Sequence, residues 1–317
     1  DVTYTVDGAH VNILSTNQVA ELEFVVQGES TQGSLTYDGP LKCKFYLNGL
    51  KLTSDQGAAI NIQCGKRIDL ILVEGTENVL ADAAGGEQKA ALYCKGHLEV
   101  SGSGSLTVTG NTKHGIATKE YLQLKKSTGA ITISGAVSDA IHTGQYFMMN
   151  GGTLSISGQG GEGIQVEILT LEDDVTANPD KEDNGQMFIN GGSINITASS
   201  VTRKAIKAPQ DLVITGGTIE IAASGAGTKG ISVDGNMIVG EETSTTLITV
   251  RATGGVYEDE NEDDTYCTGI KVKGNLVVNA GTIRVSNKGY GSRGIRIGGS
   301  YTKANGATVQ GSISYIK

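Results

Sequence analysis

The stretch Thr215–Gly235, TGGTIEIAASGAGTKGISVDG, recurs along most of the chain, and no other feature restricts the possible fold as strongly. It holds two short alternating triplets, Ile219-Glu220-Ile221 and Ile231-Ser232-Val233, set among glycines and small residues. Near-copies start at Asn150 (NGGTLSISGQGGEGIQV), Asn190 (NGGSINITASSVTRKAIKA) and Asn279 (NAGTIRVSNKGYGSRGIRI). Self-similarity at a period of this length marks a solenoid, in which each repeat buries its apolar side chains only by stacking on its neighbours.

A Gly/Ala-Ile step measures the period. It falls at Ile60, Leu92, Ile116, Ile141, Ile164, Ile206, Ile231, Ile270 and Ile295, at intervals of 32, 24, 25, 23, 42, 25, 39 and 25. Each unit carries three short runs of period two: face A after Gly/Ala (Ile231 to Val233), face B next (Met237 to Val239), and face C after a GG turn (Ile283 to Val285). Alternation between tight-turn residues argues strands, and no run has sustained helical spacing. The expected fold is all-β: a single-stranded, right-handed parallel β-helix with three strands per coil of about 24–25 residues. Coils then pair at ~4.8 Å, and like residues stack into ladders. Each inward aliphatic side chain contributes ~1.5–3 kcal/mol relative to exposure.

Residues 1–44 are strand-rich but off-period and are expected to form an irregular N-terminal coil or cap. Residues 45–317 are expected to form one continuous β-helix domain, with insertions near 167–185, between faces A and B, and near 241–266. The 46 glycines and 3 prolines suit a chain that turns often yet keeps its N–H groups for ladders. Of the 34 acids, 12 lie in Glu172–Asp183 and Glu258–Asp264, leaving 22 acids against 24 bases in the body. Such runs are read as solvated loops. With no basic arm or recognised binding motif, nucleic acid is excluded as a partner class. Cys43, Cys64, Cys94 and Cys267 show no C-x-x-C spacing. Cys94 reads as a buried thiol, and a Cys64–Cys94 contact stays open. Neither a signal peptide nor an apolar span long enough for a membrane is read.

Register assigns the outward positions. On face A they include Asn61, Tyr93, Ala117, His142, Gln165, Lys207, Ser232, Lys271 and Arg296. Tyr93, His142, Gln165, Lys207, Lys271 and Arg296 are candidate ligand-binding residues. A ridge of hydrogen-bonding groups, one ring and three cations suits an extended, acidic polysaccharide. A merely solvated polar face is the competing reading. Face B presents Gln123, then the apolar ladder Met148, Phe188, Val213, Ile238 and Val277. Such a stripe is expected to be covered, either by Ile168–Leu171 of the first insertion or by a protein partner. Asn150 and Asn190 are expected to form a buried ladder at the GG turn.

Two residues before the stacked isoleucine come His114, Asp139, Glu162, Lys204, Lys229, Thr268 and Arg293. Asp139 and Glu162 belong to consecutive coils, and two carboxylates held close suit one Ca2+ ion; two solvated turn acids are the alternative. His114, Asp139 and His142 are expected to cluster, a set able to abstract a proton, although no nucleophile motif accompanies it.

Four segments resemble a known family: LNGLKLTSDQGAAI (47–60), LVEGTENVLAD (72–82), GSLTVTGNTKHGI (104–116) and SDAIHTGQYFMMNGGTLSISGQGGEGI (138–164). They are similar to bacterial carbohydrate-binding β-helix domains, polysaccharide-lyase-like in fold, which carry calcium and bind cellulose and acidic sugars. The family's acidic G-D-D-G-I bend survives only around Asp139 and Glu162. The resemblance implies a secreted, cell-surface or periplasmic glycan binder. The expected function is therefore non-catalytic polysaccharide binding along face A. The alternatives are a calcium-assisted lyase, with Lys204 or Lys207 as base, and an adhesin using face B. The absence of Trp leaves any stacking on the sugar to tyrosines.

Overall fold

The computed structural model describes residues 1–169, 184–241, 244–259 and 263–316. No helix occurs among them, and so none is long and apolar enough to cross a membrane. The repeats stack as the period requires. Ile116 lies beside Ile141, then Ile164, Ile206, Ile231, Ile270 and Ile295, every pairing parallel. Face B aligns Leu98, Leu122, Phe147, Met187, Leu212, Met237 and Leu276. Face C aligns Leu106, Ile131, Leu154, Ile194, Ile219, Ile248 and Ile283. The three ladders meet along the axis of a parallel β-solenoid of about 11 turns, where their side chains are buried.

The GG turn has a specific geometric cause. The glycine at the second position of this turn in each copy, Gly152, Gly192, Gly217 and Gly281 (the last after Ala280), has φ of +84° to +86°. A Cβ at any of the four would lie 2.6 Å from a carbonyl oxygen of the preceding coil. Only glycine meets both demands, so the signature is a packing constraint repeated in these four coils. The Asn ladder at this turn forms, Asn190 Nδ2 donating to Asn150 Oδ1 at 2.9 Å, but it is exposed, not buried. The turn projects its first residue away from the core. A buried asparagine does occur elsewhere: Asn78 accepts from Leu50 N–H at 2.8 Å and donates to the Ser105 carbonyl at 3.0 Å.

At the N-terminal end, Val2–Asp7 pairs antiparallel with Ala9–Ser15. Parallel stacking begins in the stretch expected to be irregular: Ala9–Ser15 lies on Gly33–Asp38, and Leu22–Ser30 on Cys43–Thr53. Phe24, Tyr37 and Phe45 pack with ring centroids 5.0–5.4 Å apart near this end. All four cysteines are buried and unpaired. Cys94 stacks between Ile62 and Thr118, and burial pushes its thiol up to about 12.

Both insertions begin or end beside face A. Ile168 and Leu169, expected over face B, line a cavity on face A instead, because the chain leaves strand Ile164–Val166 on that side. Leu171 and the acidic run Glu172–Asp183 lie outside the described residues. In the second insertion the hairpin Val256–Tyr257/Thr265–Tyr266 stands against the last coils, and 260–262 of its acidic run lie outside the described residues.

Candidate functional site

Face A carries the outward ladder Asn61, Tyr93, Ala117, His142, Gln165, Lys207, Ser232, Lys271 and Arg296 in unbroken register. The strand alternation is broken one residue before each core isoleucine or leucine, at a Gly or Ala such as Ala140, Gly230 or Gly269, which is itself buried. The residue ahead of that step therefore turns to the same side as the outward residue three positions later. Two rows that the sequence presents separately become one surface.

Near the N-terminal end this surface is hollow. One cavity of about 340 Å³ is lined by Ser34, Thr36, Gln56, Asn61, Gln63 and Tyr93, among others. A second, of about 270 Å³, is lined by Tyr93, Lys113, His114, Ala117, Lys119 and His142, with Ile168 and Leu169 on its rim. Tyr93 and Lys89 belong to both, the ammonium 5.3 Å from the ring centroid. Ala117, 3% exposed, supplies a floor low enough for a ligand to lie between Tyr93 and His142.

Between the two halves of the face sits a buried polar group. His142 Nδ1 is 2.8 Å from Asp139 Oδ2, and His114 Nδ1 is 3.4 Å from the same oxygen. The imidazoles stack with centroids 4.3 Å apart. Burial, reinforced by His142, pushes His114 down to about 4, so it is neutral at physiological pH. Burial alone would raise Asp139, but hydrogen bonds from His142 and the Glu162 N–H outweigh it and hold the carboxyl at about 2. The expected cluster of His114, Asp139 and His142 is thus present.

The calcium pair is not arranged as expected. Asp139 and Glu162 do lie in consecutive coils. Asp139 Oδ1, however, accepts the Glu162 N–H at 2.8 Å, its Oδ2 faces two imidazoles, and Glu162 Oε1 points to Lys204 Nζ at 3.4 Å. A hard cation needs six to eight converging oxygens. With imidazoles on one carboxylate and an ammonium on the other, these residues do not fit calcium.

Farther along, the ridge becomes cationic. Gln165 is committed within the face: it accepts from Lys207 Nζ at 3.1 Å and donates to Glu167 Oε1 at 2.9 Å. Lys271 and Arg296 line a cavity of about 170 Å³ together with Lys229, Arg293, Thr268 and Tyr266. The Arg293 guanidinium lies 3.4 Å from the centre of the Tyr266 ring, and Arg296 donates to Ser314 Oγ at 3.4 Å. Burial, then Lys204 and Lys271, push Lys229 down to about 8. Lys271 is lowered as well, by burial and by Lys273.

The structure therefore brings Tyr93 and His142 together around one cavity and Lys271 and Arg296 around another, with Gln165 and Lys207 between them. Register does not find Lys89, Lys113 and Lys119, which reach in from turns, and places Lys229 and Arg293 only in the bend row. A second aromatic row, His97, Tyr121 and Tyr146, stacks with centroids 4.3 and 4.5 Å apart. Its ring faces cover one another, whereas Tyr93 lines both cavities at the N-terminal end of face A. On face B, Met148, Phe188, Val213, Ile238 and Val277 align as expected and are half-buried.

Comparison with known proteins adds three findings. A solved structure described as the polysaccharide lyase-like protein from C. thermocellum, as a gadolinium derivative, matches with a TM-score of 0.58 and 23% identity. That match covers 77% of this chain and 89% of the other, and supports the shared fold. A carbohydrate-binding domain-containing protein of Acetivibrio thermocellus is 29% identical over 86 residues, 25% of this chain and 30% of that protein's length. The sequence profile of the carbohydrate-binding domain-containing protein family matches residues 7–308, nearly the whole solenoid, and the chain belongs to that family.

Proposed function

We propose that this chain binds an extended polysaccharide along face A and releases it unchanged. The observation that carries this reading is the pair of adjoining cavities that share Tyr93. Binding groups recur there at the coil spacing of ~4.8 Å, comparable to one sugar residue of an extended chain. Hydroxyls and amides of Ser34, Thr36, Asn61 and Gln63 offer hydrogen bonds, and Tyr93 offers a ring face. Lys89, Lys113 and Lys119 around the second cavity, and the cations of the last coils, favour uronic or sulfated sugars. The reading carries with it an extracellular, cell-surface or periplasmic setting, where such polymers are met.

A glycan array followed by calorimetry tests it. The expected result is binding to acidic polysaccharides, weakened at least roughly tenfold by Tyr93→Ala, the loss of about one sugar–ring contact. Binding to no glycan, or binding indifferent to Tyr93, would reject the reading.

A second reading, a lyase, is favoured by one observation: Asp139 orients His142 at 2.8 Å, an arrangement able to hold an imidazole ready as a base. Incubation with polygalacturonate, following unsaturated product in the ultraviolet, separates the two.

A further inference from the structure

The cavity at the last coils of face A has a construction that sugar hydroxyls do not require. Along the bend row, Lys229, Thr268 and Arg293 follow one another in adjacent coils. Beside them, the outward row places Lys271 in the same coil as Thr268 and Arg296 in the next. Thr268 is 3% exposed, so its short side chain makes a floor with a cation on either side along the solenoid axis. The Lys229 and Arg293 backbones stand two coil spacings of ~4.8 Å apart, a span that two long side chains can close around a small ion. All four cations line one cavity of about 170 Å³, and the hairpin of the second insertion adds Thr265 and Tyr266 as a wall.

These charges are not balanced from within. Among the described residues, no carboxylate lies within ion-pair distance of Lys229, Lys271, Arg293 or Arg296. Asp234, which bears on Lys271, is paired with Lys273 Nζ at 2.9 Å. The exposed Asp264 lines the cavity and opposes an anion. Burial and the neighbouring ammonium groups weigh against the charge of Lys229, a cost that an anion would offset. Donors remain for one. Lys229 Nζ donates to the Gly227 carbonyl at 2.9 Å and keeps further N–H groups. The Arg293 guanidinium lies over the Tyr266 ring at 3.4 Å, which uses its face and leaves the N–H groups of its edge to donate.

We propose that Lys229, Lys271, Arg293 and Arg296 form a pocket for a terminal tetrahedral oxyanion, the phosphate or sulfate ester of a sugar. A carboxylate presents two oxygens in one plane. Here donors stand on opposite sides of Thr268 along the axis and again in the outward row, which suits the three terminal oxygens of a tetrahedral group. The planar forks of two arginines match such a group bidentately. As a statement about a glycan, the pocket rests on the binding reading above and names the substituent; as an oxyanion site it needs no polymer.

The test titrates the full chain with inorganic phosphate, inorganic sulfate and acetate by calorimetry, at constant ionic strength and near-neutral pH. The expected result is one phosphate or sulfate per chain, bound roughly tenfold or more tightly than acetate and weakened roughly tenfold in Arg293→Gln and in Lys271→Gln. Lys51→Gln removes a charge of the same sign from an exposed position in Cys43–Thr53, near the other end of the solenoid, and should bind as the wild type does. Absence of saturable binding, acetate bound as tightly, or an affinity unchanged in either cavity variant overturns the proposal. Should the variants fail to fold, arginine side-chain NMR of the wild type decides: phosphate must shift Arg293 and Arg296, and any other pattern overturns it. A sugar phosphate and a sugar sulfate, added in turn, should displace the inorganic ion, and the stronger competitor identifies the ester; displacement by neither overturns the assignment. No polysaccharide enters these measurements, so their failure is distinct from failure of the binding reading.

Discussion

Asp139 and His142 are three residues apart in sequence and face each other across 2.8 Å on the outer side of the solenoid. In an uninterrupted strand they would point to opposite sides. The buried Ala140 lies between Asp139 and the core residue Ile141, and the bend there swings the carboxylate outward beside the imidazole. The same bend recurs at Gly230 and sets Lys229 beside the cations of the last coils. What the face can bind follows from that local break in alternation.

Charge around the second cavity should appear as salt dependence. Lys113→Gln/Lys119→Gln should weaken binding of a uronate polymer several-fold and flatten its dependence on ionic strength, while a neutral polymer is affected little. Isotherms at low and physiological salt measure both.

Lys229 should make the C-terminal half of face A pH-sensitive. Its folded value of about 8 lies below its ordinary value of 10.5, so the unfolded chain binds the extra proton between those limits. Folding is therefore penalised by this residue below about pH 8, and stability rises as pH climbs from 8 towards 10.5. Lys229→Met should be more stable at pH 7, by about 1–2 kcal/mol, with no gain at high pH. Urea titrations across that range measure it. Because an anion at Lys271 and Arg296 favours the protonated amine, acidic glycan binding at these coils should fall as pH rises through 8.

The second position of the GG turn should tolerate no side chain. At Gly217 φ is +86°, and an added Cβ would meet the Gly192 carbonyl oxygen at 2.6 Å. Gly217→Ala should cost about 1–3 kcal/mol from backbone strain, plus the clash. The first glycine of the same turn, Gly216, lacks the positive φ, yet its Cβ would meet the Asn190 carbonyl oxygen at 2.5 Å. Its alanine variant should therefore lose less, and denaturant midpoints compare the two.

The core ladder should behave as a cavity-sensitive stack. Ile206→Ala, between Ile164 and Ile231, should cost about 2–5 kcal/mol. Ile206→Val should cost about 0.5–1.5 kcal/mol. Thermal and denaturant unfolding followed by circular dichroism would show both.

Much of the fold could be read in advance. The recurrence of Ile116, Ile141, Ile206, Ile231 and Ile295 at nearly one stride named the inward ladder, and every pairing it implied is present. The outward ladder of face A followed from the same register. The site was less legible. Lys89, Lys113 and Lys119 reach it from bends, whose side-chain directions no periodicity encodes. Asp139 and Glu162 were placed in adjacent coils correctly, but which partner each carboxylate takes depends on His142 and Lys204 lying nearer than the two acids' oxygens do to a common point.

By itself the chain's sequence determined the stacking: a repeated stride makes each coil the template of the next, and burial of like aliphatic residues leaves one register that satisfies all of them. Tertiary structure alone decided how the rows outside that core combine. A small residue before each core isoleucine or leucine of face A bends the backbone, and that bend brings Lys229 to Lys271 and turns Asp139, whose nearness to His142 the sequence did suggest, so that one oxygen meets the imidazole.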